Sequence, residues 1–162
     1  MGAAPRSRSL GRLVGILLLI GVVGFLAIQL VPYGRSHSNP PVSAEPTWAS
    51  PETRQLAEAA CFDCHSNQSA WPWWSNVAPA SWLVQWDVER GRRKLNFSEW
   101  DQPQEEASHA AAVVREGEMP PRNYLPLHPE AQLSPERKST LIAGLAATFG
   151  DDPGGEGGGS DD

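Results

Sequence analysis

The chain has 162 residues, of which 13 are Lys or Arg, 19 are Asp or Glu and only 2 are Cys. That length allows one modest domain once non-globular ends are set aside. Arg6, Arg8 and Arg12 precede every acid in the chain, so the remainder is strongly acidic, which argues against nucleic acid and against docking flat on anionic lipid.

Residues 1–12 are followed by an apolar run, Leu13 to Val31, in which Gln29 is the only strongly polar member. Such a run is about long enough to cross a bilayer as a helix. It has no polar face at helical spacing, which argues against a buried core helix. A cleavable signal peptide is the alternative, with Val42-Ser43-Ala44 as a cut site, but that site lies well past the apolar end. The expectation is an uncleaved, single-pass anchor in the cytoplasmic membrane. The preceding arginines place residues 1–12 in the cytoplasm and everything from Tyr33 onward outside it.

Residues 32–47, with "RSHSNPPVSAEP", read as an extended, proline-stiffened tether. Residues 48–149 form the folded domain, whose thin core should lean on a cofactor or crosslink. Residues 150–162, "GDDPGGEGGGSDD", carry no apolar side chain and read as a disordered acidic tail. Within the domain four helical patterns occur and no strand pattern competes. Ser50-Pro51-Glu52 starts the first, running to Ala60 with Leu56, Ala59 and Ala60 inward. The second covers Pro79 to Arg90, with Trp82, Leu83 and Trp86 on one face. The third covers Gln104 to Arg115 and stops at Gly117. The fourth starts at Ser134-Pro135-Glu136, presents Leu141, Ile142, Leu145 and Phe149, and ends at Gly150. The fold class is therefore all-α: a small helical domain with long Trp- and Pro-rich loops, behind one transmembrane helix.

Cys61-Phe62-Asp63-Cys64-His65 carries the chemistry. A redox dithiol of the thioredoxin kind would want a strand leading into the motif, and none is readable. A structural zinc site needs four ligands, and beyond the motif only His37, His109 and His128 offer nitrogen. A disulfide would leave His65 without a role. Cys-x-x-Cys-His is also the signal for covalent c-type haem attachment, with the thiols as thioether donors and the adjacent His65 as proximal iron ligand. This third reading fits best and implies one covalent haem c.

An electron carrier needs a sixth ligand. Met119 is the one methionine of the domain, in "EGEMPPRNY", where Gly117 breaks the helix and two prolines hold an extended backbone. Filling a gap in the core is the ordinary alternative for a methionine. His128 in "PLHPE" is the other candidate ligand, while His109 reads as a surface or satisfied histidine. Trp71, Trp73 and Trp74 follow the motif and could pack on the ring, though core packing is the default for a tryptophan. The basic run Arg90, Arg92, Arg93, Lys94 could meet haem propionates, or simply favour a helix C-terminus.

"CFDCHSNQSAWPWWSN", "NFSEWD", "GEMPP" and "LHPEAQLS" together resemble the small haem-binding domain family of bacterial membrane-anchored monohaem c-type cytochromes. "PYGRSHSNPPV" is similar to the segment that precedes the motif in many members, so the resemblance runs from Tyr33 to Phe149. It implies a cytochrome c-like helical haem domain with Cys61 and Cys64 as thioether positions, His65 as proximal ligand and Met119 as distal ligand. The expected function is single-electron transfer between redox protein partners, without catalysis. Two alternatives stand beside it: a sensor or peroxidase-like enzyme with a displaceable sixth ligand, and an assembly module that haem merely staples.

Overall fold

The computed structural model describes residues 6–152. Its helices are α1 (Arg6–Ile28), α2 (Pro51–Ala60), α3 (Phe62–His65), α4 (Ala80–Lys94), α5 (Ala110–Glu116) and α6 (Pro135–Phe149), with short 3-10 turns between them. Among the described residues there is no strand, only an isolated bridge between Ala44 and Glu99. The expected all-α class is what the chain adopts. It divides into two compact units: Met1–His37 with Trp71–Trp86, and Ser38–Ala70 with Asp87–Asp162.

In the first unit, α1 contains Leu10–Ile28, a stretch long and apolar enough to cross a membrane. The helix begins earlier and ends earlier than the expected 13–31, and Gln29 explains the end. Its side-chain amide donates to the Ala78 carbonyl at 2.9 Å and accepts from the Ala78 N–H at 3.0 Å. Pro32 then prevents the helix from resuming. Gly34 comes next at φ +80°, so close to the Ser81 carbonyl that a Cβ would lie 2.2 Å from its oxygen. His37 stacks on Trp71 with ring centroids 4.6 Å apart and meets the Ser75 carbonyl at 3.0 Å.

α4 departs from the expected pattern. Ser81, Val88 and Gly91 are its buried positions, whereas Leu83 is 53% and Trp86 47% exposed. Small residues face inward because neighbouring backbone approaches closely there, so the largest apolar side chains do not mark the core face.

The second unit holds the core. Leu56, Ala57, Ala60, Phe62, Phe97, Val114, Leu141 and Leu145 are buried together, each of the larger side chains contributing about 1.5–3 kcal/mol. Ser50 caps α2 by accepting from Thr53 N–H at 3.0 Å, and Ser134 caps α6 by accepting from Arg137 N–H. α2 and α6 pack so closely that a Cβ at Gly144 would meet Thr53 Oγ1 at 2.2 Å. Trp48, Phe97, Trp100 and Phe149 form an aromatic cluster, with Trp48 and Phe97 centroids 5.1 Å apart and Trp100 and Phe149 4.8 Å apart.

Three boundaries differ from expectation. α5 starts at Ala110 after a 3-10 turn, because Gln104 braces the preceding loop instead of entering a helix: its side chain accepts from Asn96 N–H at 2.8 Å and donates to Glu99 O at 2.9 Å. The tether from Ser38 onward is extended but belongs to this unit. Ser43 and Ala44 donate backbone N–H groups to Ser98 O, and Glu45 makes a two-point ion pair with Arg54 at 2.7 and 2.8 Å. The acidic tail begins in place: Gly150 caps α6 and Asp151 pairs with Arg115 at 2.7 Å. Its remainder, 153–162, lies outside the described residues, as do residues 1–5.

Candidate functional site

The motif folds into the single turn of α3. Cys61 ends α2 and begins α3, and its carbonyl accepts from Cys64 N–H at 3.2 Å and His65 N–H at 2.9 Å. One turn therefore gathers both sulfurs and the imidazole, while Phe62, 3% exposed, pins the turn to the core. Neither cysteine is in a disulfide. Burial pushes both thiols up to about 12, and Asp87 and Asp63 push Cys64 in the same direction. Burial thus disfavours the thiolate at both positions, whereas a redox dithiol calls for a thiolate favoured by its surroundings.

His65 is oriented by the backbone. Its Nδ1 donates to the Leu95 carbonyl at 3.0 Å, a direction assigned because a carbonyl can only accept. Burial lowers its pKa and favours the neutral ring. With the proton on Nδ1, Nε2 keeps its lone pair and is available as a metal ligand.

α4 supports this turn from two consecutive positions. A Cβ at Gly91 would sit 2.3 Å from the Cys64 carbonyl oxygen and 2.9 Å from its Cβ, so only glycine lets the helix approach. Arg92 then ties down the loop after the motif. Its Nε donates to Ser66 O at 2.8 Å, and its terminal nitrogens donate to Ser38 O at 2.9 Å and to Asn39 Oδ1 and Ser69 Oγ at 3.0 Å. Of the expected basic run, Arg92 is thus engaged in bracing the motif. Beneath it Asn67 N–H donates to Ser98 Oγ, Asn96 Nδ2 to Asn67 Oδ1, and Ser98 N–H to Asn96 Oδ1, at 2.9, 3.0 and 3.0 Å. These buried polar groups satisfy one another and rigidify the loop.

Asp63, between the cysteines, joins two further segments. Its Oδ1 accepts from Ala70 N–H at 2.9 Å and its Oδ2 from Tyr124 O–H at 2.6 Å. Burial and the Asp63 bond both raise the Tyr124 pKa, so the phenol stays protonated. His128 lies flat on Tyr124, centroids 3.6 Å apart, with Nδ1 2.9 Å from Tyr124 O and Nε2 4.0 Å from Asp63 Oδ2. Both its ring nitrogens face protein partners.

Met119 is partly buried against the same core that receives Cys61. Gly117, at φ +79°, ends α5 with its N–H directed to Val113 and Val114 carbonyls, and the Glu118 and Met119 N–H groups turn back to Val113 O at 3.0 and 3.2 Å. The methionine lines a cavity of about 500 Å³ together with Val114, Pro120, Leu125, Leu133 and Leu141. A smaller one of about 260 Å³ is bordered by Ala59, Phe62, Asp63 and Gln68. Trp71, Trp73 and Trp74 belong to the first unit, where Trp71 stacks on His37 and Trp73 is 79% exposed. The tryptophans in the motif's own unit are Trp48 and Trp100. His109 is satisfied by Glu106 and Asp152 at 3.3 and 3.5 Å.

A family model described as a haem-binding domain matches residues 23–147. The chain belongs to the haem-binding domain family. No curated protein and no solved structure matches it.

The residues present fit haem. No group of three His, Cys, Asp or Glu side chains among the described residues could cage a bare metal ion. A porphyrin brings four nitrogens of its own, so axial ligands suffice, and His65 is held by its Nδ1 on the Leu95 carbonyl. Sequence reasoning missed Gly91, the bracing role of Arg92 and the Leu95 carbonyl. Gly91 had a visible signal, since a glycine inside a helix costs about 1 kcal/mol and asks for a packing reason.

Proposed function

We propose that this haem-binding domain is a membrane-anchored monohaem c-type cytochrome that passes single electrons between redox proteins outside the cytoplasmic membrane. The observation that carries the reading is the anchored His65 beside Cys61 and Cys64, neither in a disulfide, on one helical turn. Each thiol would add across a haem vinyl group, sulfur to one carbon and hydrogen to the other, with no co-oxidant. Haem supplies the one-electron iron couple, which His/Met ligation raises in potential.

The chain's own residues do the rest. Leu95 holds the His65 ring and fixes its tautomer, Gly91 admits α4 against Cys64, and Arg92 keeps the following loop from moving. Met119 is the distal ligand on this reading, because no hydrogen bond among the described residues engages its thioether, whereas both His128 nitrogens face protein partners. α1 anchors the chain with its N-terminus inside, by the arginines that precede the span.

Spectra of the reduced full-length protein with and without carbon monoxide test the carrier reading. A low-spin spectrum unchanged by carbon monoxide is expected. Rapid carbon monoxide binding by the wild type would replace the carrier with a sensor or enzyme whose Met119 leaves the iron.

A further inference from the structure

The stretch Trp71–Trp86 contains five tryptophans and no charged residue. Its helix-borne part does not bury its largest apolar groups: Leu83 and Trp86, three apart on α4 and so on one face, are 53% and 47% exposed, and Trp73 is 79% exposed. Exposed tryptophan and leucine in a charge-free stretch suit a non-aqueous neighbour, and the same unit indicates which.

The stretch is fastened to the end of α1. Gln29 holds Ala78 by both its N–H and its carbonyl, Gly34 lies against the Ser81 backbone, and His37 reaches Ser75 and stacks on Trp71. Leu10–Ile28 has 19 residues, and at 1.5 Å each a helix of that length crosses about 30 Å of hydrocarbon. Gln29 then falls at the membrane–water boundary, and Ala78 lies one side chain away. Tryptophan is enriched at that depth, where its ring sits in the boundary layer and its N–H meets water or headgroups.

We infer that Trp73, Leu83 and Trp86 dock the stretch Trp71–Trp86 into the headgroup–acyl boundary of the bilayer that α1 spans. The contact is apolar and aromatic, so it does not call on attraction between anionic lipid and an acidic chain. The inference rests on the anchor reading.

The test uses full-length protein in phosphatidylcholine vesicles, with a nitroxide label at Trp73→Cys or Leu83→Cys. Identically treated wild type supplies the background from Cys61 and Cys64. Both sites are exposed, so a label displaces no packed atoms. Electron paramagnetic resonance then compares collision with oxygen, which concentrates in lipid, and with a water-soluble nickel chelate. Shallow bilayer contact predicts oxygen access several-fold above nickel access at both positions. Nickel access at either position overturns the inference, and so does shielding from both reagents, which would mark a protein cover. Extraction of the wild type by alkaline carbonate would show instead that the anchor reading had failed, and the inference with it.

Discussion

The loop after His65 and the loop that carries Met119 are held by different means. Ser66 to Ala70 is tied from outside itself, by Arg92, by Ser98 and Asn96, and by the Asp63 carboxylate. Gly117 to Pro121 is shaped mainly by its own backbone, through a left-handed glycine, a turn back onto Val113 and two prolines. The loop after His65 is pre-organised by side-chain bonds that cost free energy to break. The Met119 loop owes its shape to a few stiff residues, and its methionine borders open space. On the haem reading, the first arrangement fixes the imidazole before iron arrives, and the second lets the thioether settle onto it.

Two glycines separate these cases most strongly. Gly91→Ala drives a Cβ into the Cys64 backbone at 2.3 Å, and overpacking of this kind costs about 1–3 kcal/mol or more. It should lower the denaturation midpoint and the yield of haem-loaded protein together. Gly117→Ala has open space, with only Lys138 Nζ at 3.9 Å, and bears the left-handed φ alone, about 1 kcal/mol. Denaturant titration of the pair checks the order, and a larger loss at Gly117 would contradict it.

Arg92→Met removes a charged donor from four acceptors. Hydrogen bonds to charged groups contribute about 1.5–3 kcal/mol each but do not add, so a net loss of about 2–4 kcal/mol is expected. Arg92→Lys should restore little, because an ammonium cannot fork to several acceptors at once. Full recovery with lysine would show that charge alone matters there.

On the distal side the effects should be spectroscopic more than energetic. Met119→Ala should leave the fold within about 1–2 kcal/mol of wild type, since the residue is only partly buried, while opening the iron to carbon monoxide. His128→Ala should leave coordination and carbon monoxide access unchanged. If His128→Ala opens the iron, the ligand assignment passes to His128.

The smallest effect concerns the docked tether. The Arg54 guanidinium holds the Glu45 carboxyl below its ordinary value of 4.5. A lowered carboxyl pKa stabilises the fold fully above the unfolded value, and that contribution is lost as pH falls through the folded one. Glu45→Gln should therefore melt a little below wild type at pH 7, with the gap closing below about pH 4. Thermal melts at the two pH values check this, and a gap that widens on acidification would refute the pairing.

Much of the local structure around the candidate site was readable in sequence because its signals are local. The Cys61/Cys64/His65 spacing, the caps at Ser50 and Ser134 and the stop at Gly117 each depend on a few neighbouring residues, and all sit where those residues place them. The support shell was not readable, because its partners are distant in sequence. Leu95 contributes a carbonyl that no residue type encodes, and Arg92 reaches back 26 residues to Ser66. The face of α4 was misjudged for a related reason: hydropathy assumes that large apolar groups turn inward, and here glycine and serine do so to admit backbone. Gln104 escaped because a helix-favouring residue served a loop through both ends of its amide.

The central claim is that haem is carried on Cys61 and Cys64 with His65 beneath it, and acid–acetone extraction followed by mass measurement of the intact polypeptide tests it most directly. Wild type should retain the mass of one haem after extraction, and the Cys61→Ala, Cys64→Ala double variant should retain none. A wild-type polypeptide stripped to its unmodified mass would contradict the account.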